Sequence, residues 1–205
     1  MCFSFRVSIG TFIFSWASSI YLLNKGLSEK KKQDIIFLMI FSSMQLSDAI
    51  LWYTGMKKNT VNYLTTSLLI PLILSLQVIY KLYVNYKNKR NKHKERENRN
   101  RINKNNKKYL TGIATIVVSY LFYRFNGYSI SVCSNKLSSP VWASKELKLW
   151  ELIIFATLVI YPKLTILAYT IFIVFPLIFI LSGGGYGSLW CAVANLATLY
   201  YLYKY

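Results

Sequence analysis

Apolar residues run along this chain in blocks, broken by short polar stretches. Seven blocks stand out, at residues 7–23, 34–55, 61–84, 109–125, 147–161, 164–181 and 188–203. Each approaches the ~20 residues that an α-helix needs to cross a bilayer. The fold class expected is all-α, a polytopic transmembrane helical bundle of about seven spans. The fifth block is short, and Pro162 and Lys163 separate it from the sixth. If it does not cross, six spans remain and every later segment changes sides. Pro71 and Pro176 lie inside blocks, where proline is expected to kink a helix. Three regions follow. Residues 1–87 form a first block of three helices, 88–108 a polar linker, and 109–205 a second block of about four helices.

Composition agrees with a membrane protein. The chain is 54% hydrophobic and only 16% charged, more apolar and less charged than soluble domains are. The net charge is +18, and twelve of the 25 Lys and Arg fall within residues 81–108. Counted by side, the basic residues gather in the 24–33 loop, the 81–108 segment, Lys163 and Lys204. The positive-inside rule therefore places the N-terminus outside or lumenal and the C-terminus in the cytoplasm. Which membrane holds the chain is not encoded. The linker, "NKRNKHKERENRNRINKNNKK", reads as a solvated cytoplasmic segment that enforces this topology. An alternative is attraction to anionic lipid headgroups, worth about 1 kcal/mol per basic residue near the surface. Nucleic acid is disfavoured as a partner, because the linker lacks the interleaved aromatics of a stacking platform.

The second block contains "FSSMQLSDAILW", which puts a carboxylate inside a span. Gln45, Asp48 and Trp52 are spaced i, i+3, i+7 and share one helical face. An ionisable side chain facing lipid costs several kcal/mol, so Asp48 is expected to face the bundle or a wet cavity. In the expected topology Asp48 lies in the outer half, with Trp52 near the interface and its indole N–H wet. Candidate partners on that side are Glu151, at the start of the fifth block, and Arg6, ahead of the first. The last block enters from the same side as "GSLWCAVAN", bringing Trp190, Cys191 and Asn195. The plain reading stays open beside this one: Asp48 bonded to Ser and Thr of neighbouring helices, Glu151 and Arg6 as interfacial charges. Trp52, Trp142, Trp150 and Trp190 would then be belt aromatics.

The remaining chemistry is sparse. The one histidine, His93, lies in the basic run, so a zinc hydrolase with several His ligands is excluded by supply, and no metal or cofactor is expected. A retinal-type protein needs a Lys deep in its last helix, whereas Lys204 is terminal. If the outer side is oxidising, Cys133 could bridge to Cys191 or Cys2. Without a CxxC motif or a nearby His, thiol chemistry has little support. "SGGGYGS" at 182–188 reads as a flexible turn, since it lacks the spacing of phosphate-binding loops.

The opening "MCFSFRVSIG" and the Q-x-x-D-x-x-x-W pattern at Gln45, Asp48 and Trp52 resemble a family of uncharacterised multi-pass membrane proteins. These begin Met-Cys-Phe-Ser or Met-Cys-Trp-Ser and occur in bacteria and large DNA viruses. They carry an acid, often Glu, close to a Gln in the second span, and viral-looking members show the Gly-Ser-Leu-Trp-Cys of residues 187–191. The resemblance covers mainly residues 1–52 and 187–195 and brings no known activity. It implies that Cys2, Ser4, Ser8, Gln45, Asp48, Trp52, Trp190 and Cys191 form the important set. Three functional classes follow. One is a binding or transport protein whose outer polar pocket takes an ion, lipid headgroup or small molecule. The alternatives are a structural or organising protein of a viral or host membrane, and a membrane-embedded thiol enzyme.

Overall fold

A computed structural model describes residues 4–93, 100–134, 137–145, 148, 150–151, 154, 157–158 and 187–205. For residues 89–93, 100–107, 132–134, 137–139 and 187–192 it describes the backbone only. The described chain is mostly helical. Helix α1 is Phe5–Asn24, capped by the Ser4 hydroxyl, which accepts from the Val7 N–H at 3.4 Å. Helices α2 (Glu29–Ser42) and α3 (Met44–Tyr53) form one apolar rod with a break at Ser43. Helix α4 (Thr60–Leu64) passes through a π-helical turn, Thr65–Leu69, into α5 (Ile70–His93). Helix α6 is Asn100–Arg124 and α7 is Gly187–Lys204.

Three of these rods are long and apolar enough to cross a membrane: Phe5–Asn24, Glu29–Tyr53 and Thr60–Asn88. At 1.5 Å per residue the shortest is about 30 Å long, the thickness of a hydrocarbon core. They match the first three apolar blocks. The fourth and seventh blocks are helical within α6 and α7. Most of the fifth and all of the sixth block, Pro176 included, lie outside the described residues.

Both irregularities in the rods have local causes. The Ser42 and Ser43 hydroxyls donate back to the Met39 carbonyl at 3.1 and 2.8 Å, and the Leu46 N–H bonds Ser43 O rather than Ser42 O. Such back-bonding tightens one turn and bends a helix. In α5, Pro71 has no N–H to give to residue 67 and its ring crowds that carbonyl. The wide turn lies immediately upstream, where the Ile70 N–H reaches Thr65 O, five residues back. Proline thus produces a π-turn here.

Two further features lie outside the apolar blocks. The basic segment expected to be a linker is helical on both sides of residues 94–99, continuing α5 to His93 and opening α6 at Asn100. Lys and Arg are good helix formers, so helices nucleated in the apolar blocks extend into it. Beside the mostly helical fold stands one antiparallel hairpin, β1 (Ile130–Ser134) and β2 (Leu137–Val141). Its "ISVCS" and "LSSPV" are too short and too polar in alternation for a span, and they pair as strands.

Contacts between elements fix their directions. Phe5 packs on Tyr53, ring centroids 5.6 Å apart, so α1 runs antiparallel to α2–α3. The Thr198 hydroxyl meets Ser15 Oγ at 3.1 Å and Lys31 lies over Tyr205 at 4.4 Å, so α7 runs parallel to α1. Tyr80 and Asn88 of α5 both bond Gln33 of α2, at 3.3 and 3.4 Å. One end of the bundle therefore carries Ser4, the turn at residues 54–59 and the hairpin; we call it the turn end. The other carries the α1–α2 loop, the end of α7 and the basic helical extensions. Between them Leu22, Ile35, Leu38, Phe41, Met44, Leu51, Ile70 and Val78 form the apolar core.

Candidate functional site

Asp48 is the buried carboxylate of α3, 2% exposed. Its partner is Trp142, whose Nε1–H donates to Asp48 Oδ1 at 3.0 Å. Trp142 stands just after β2, in a 3-10 turn, Trp142–Ser144, and reaches into the bundle from the turn end. Val141, Trp142 and Ala143 are all buried, and the indole meets Phe125 edge-on at 6.0 Å. Thus an aromatic read as a belt residue is the ligand of the intramembrane acid. Sequence alone offered no signal for this, because the two residues are 94 positions apart.

The turn that carries Trp142 is strained. Ala143 and Ser144 have φ of 57° and 53°, left-handed backbone that costs a side-chain-bearing residue roughly 1–2 kcal/mol. Local bonds hold it there. Ser144 Oγ donates to Tyr128 O at 2.7 Å, and the Lys145 N–H bonds Trp142 O at 3.3 Å.

A second set of contacts clamps the chain just before the hairpin. The Asn62 carboxamide pairs with both backbone groups of Ser129. Its Nδ2–H donates to Ser129 O at 2.9 Å, and its Oδ1 accepts the Ser129 N–H at 2.9 Å. Thr66 donates to the same Oδ1 at 3.1 Å and shares a 2.7 Å contact with the Ser129 hydroxyl. Ser67, inside the π-turn, accepts the Gly127 N–H at 3.1 Å. Gly127 has φ of 151°, a backbone that L side chains rarely adopt. These bonds anchor the loop on α4 and the π-turn, and so aim Trp142 at Asp48.

Glu151 belongs to a separate cluster. Its Oε1 accepts from Arg124 Nε at 2.7 Å and its Oε2 from Arg124 Nη2 at 3.3 Å. The Tyr120 hydroxyl and the Lys148 N–H, the latter at 2.7 Å, complete the set. The two carboxylates therefore do not share a partner among the described contacts. Arg6 is exposed, and the ion pairs among the described residues are Arg124–Glu151 and Lys87–Glu29. Of the candidate partners of Asp48, Glu151 is held by Arg124 on α6 and Arg6 is exposed, and the described partner of Asp48 is an indole.

The other candidates distribute as follows. Gln45 is fully buried one turn from Asp48. Trp52 lies at the turn end, and its Nε1 is buried without a hydrogen-bond partner among the described residues. Ser8 is fully buried on α1, and its Oγ and Asn195 Oδ1 on α7 likewise lack partners there. Cys133 stands opposite Ser138 in the hairpin, and Trp190 and Cys191 lie in the first turns of α7. Their side chains, and Cys2 altogether, lie outside the described residues, as does any disulfide among them.

Chemically, the Asp48 site is a single carboxylate in an apolar bundle, held by one neutral donor and bordered by amide, hydroxyl and indole groups. Such a group can keep a proton, accept a further donor, or balance one small cation. No family model, curated protein or solved structure matches the chain.

Proposed function

We propose that this is a multi-pass membrane protein of about seven spans, with its N-terminus outside and C-terminus cytoplasmic, that binds a small cation at Asp48. The observation that carries this reading is a carboxylate, 2% exposed, inside an apolar bundle and facing a neutral indole. A group so placed is a functional suspect by default, because burying it costs several kcal/mol. The Trp142 turn closes the site from the turn end and would be displaced when the site exchanges its ion. The anionic leaflet would meet the basic extensions of α5 and α6 at the other end.

A hydrophobic carbodiimide tests the reading, since it modifies protonated carboxyls within membranes. We expect Asp48 to be modified and Asp48→Asn to remain folded and unmodified. In Trp142→Phe the donor to Asp48 is lost, and modification should be about tenfold faster, the equivalent of ~1.4 kcal/mol. A second reading, polar groups serving only as helix glue, draws on the Thr198–Ser15 and Asn62–Ser129 contacts. It would be favoured by an unmodified Asp48 together with an Asp48→Asn variant that does not assemble.

A further inference from the structure

Buried polar atoms without partners are rare in native proteins, and each costs about 1–3 kcal/mol if left dry. This bundle has them on four helices. Ser8 Oγ, Ser47 Oγ, Trp52 Nε1, Asn195 Oδ1, Ser75 Oγ and both amide atoms of Gln77 find no partner among the described residues. Dry, these six side chains would cost roughly 6–18 kcal/mol, as much as the whole stability of a typical domain. They must be hydrogen-bonded to something beyond the described residues, and water is the partner that buried polar groups commonly take.

Their placement is ordered. At 1.5 Å per residue from the turn end of each helix, Trp52 and Ser8 lie within about 5 Å, Asp48 near 8 Å and Asn195 near 12 Å. Gln77 follows at roughly 25 Å along the α4–α5 rod, while Ser75, two residues earlier, lies on another side of the helix and stands outside this series. The interval between holds Gln45 and the Ser15–Thr198 pair, all fully buried. One turn beyond Gln77, Lys81 is buried over Phe37, 5.5 Å from the ring centroid. Asp34 stands on α2 three residues before Phe37. Polar groups thus recur at every level from the turn end to the basic end.

We propose that these groups line a single-file hydrated path from Asp48 through Gln77 to the Lys81 end, and that it conducts protons. This rests on the reading of Asp48 as an exchangeable site and names the proton as its cation. Hydroxyls and carboxamides both donate and accept, as a proton relay requires. A metal cation needs about six oxygen ligands to replace its water. Each level here offers one or two, among fully buried Leu38, Phe41, Met44 and Ile70. No other charged group among the described residues competes at the level of Asp48. Arg6, Lys57 and Lys58 are exposed, and Arg124 holds Glu151.

The test uses the full chain in liposomes loaded with a pH-sensitive dye, with a potassium diffusion potential driving proton entry. We expect flux above that of empty liposomes, reduced at least about tenfold in Asp48→Asn and in Gln77→Leu, a barrier of ~1.4 kcal/mol or more. Gln77→Leu should keep carbodiimide modification of Asp48, and Gln77→Cys should react with a small water-soluble thiosulfonate. Flux unchanged by Gln77→Leu, or an inert Gln77→Cys in a folded protein, overturns the path. Absent flux with a modifiable Asp48 overturns the path and leaves the site; absent flux with an unmodifiable Asp48 removes both.

Discussion

Replacing Arg124 with leucine should lower the unfolding free energy by about 3–5 kcal/mol, the largest loss expected from any single side chain here. The reason is the stranded partner, not the pair itself. Arg124 and Glu151 side chains are 10% and 7% exposed and make a two-point contact at 2.7 and 3.3 Å. Without the guanidinium, Glu151 keeps the Tyr120 hydroxyl and the Lys148 N–H, yet carries a buried charge with no counterion. Removing both charges is a different matter. A buried ion pair replaced by apolar residues of similar size is often neutral or stabilising. Arg124→Leu combined with Glu151→Leu should therefore recover most of the loss, with a coupling of about 2 kcal/mol or more in the double-mutant cycle. Unfolding in mixed micelles measures all four proteins. A single variant within 1 kcal/mol of the parent, on the order of an exposed pair, would show that the contact is solvated.

The second large effect belongs to Asn62. Asn62→Ala removes its bonds to Ser129 O, Ser129 N and Lys57 O, together with the acceptor of Thr66. At about 1 kcal/mol per bond, plus the desolvation of a buried Ser129 backbone left unpaired, the loss should be roughly 2–4 kcal/mol. The informative readout is local. Ser129 leads into the hairpin that carries Trp142, so releasing it frees the strained turn at Ala143 and Ser144. Carbodiimide modification of Asp48 should then accelerate as it does in Trp142→Phe. Asn62→Asp provides a graded control, since a carboxylate still accepts from the Ser129 N–H and Thr66 but cannot donate to the two carbonyls. A destabilised Asn62→Ala in which Asp48 modification is unchanged would mean that Trp142 is held by its own packing on Phe125.

The order of these effects says what the polar interior is for. Arg124–Glu151 and Asn62–Ser129 are each bonded at two points and tie segments together. The groups between Asp48 and Gln77 include atoms that no described side chain satisfies. Structural polar groups in a membrane protein converge on mutual satisfaction, because hydrocarbon offers no alternative partner. The proposed hydrated route draws on this second set, and substitutions along it should change function more than stability.

Much was legible in the sequence for a simple physical reason. The length and composition of an apolar block are local properties, and the bilayer reads them directly. The three membrane-length helices, the helical fourth and last blocks, and the burial of Gln45 and Asp48 on one face follow from periodicity. Pro71 marked one of the places where the rods depart from ideal geometry. Partnership was not legible. Asp48 could have met any donor brought to its level, and only the folding of the 126–145 segment into a clamped hairpin brought an indole there. Arg124 reads as a flanking charge until Glu151 is placed beside it, and Gln77 reads as one more polar residue until its amide is found without a partner among the described residues. Sequence by itself determined what this protein dissolves in and which segments form its helices, because those are sums over neighbouring residues. Tertiary structure alone decided which buried polar groups are satisfied, because that depends on atoms from distant segments meeting within about 3 Å.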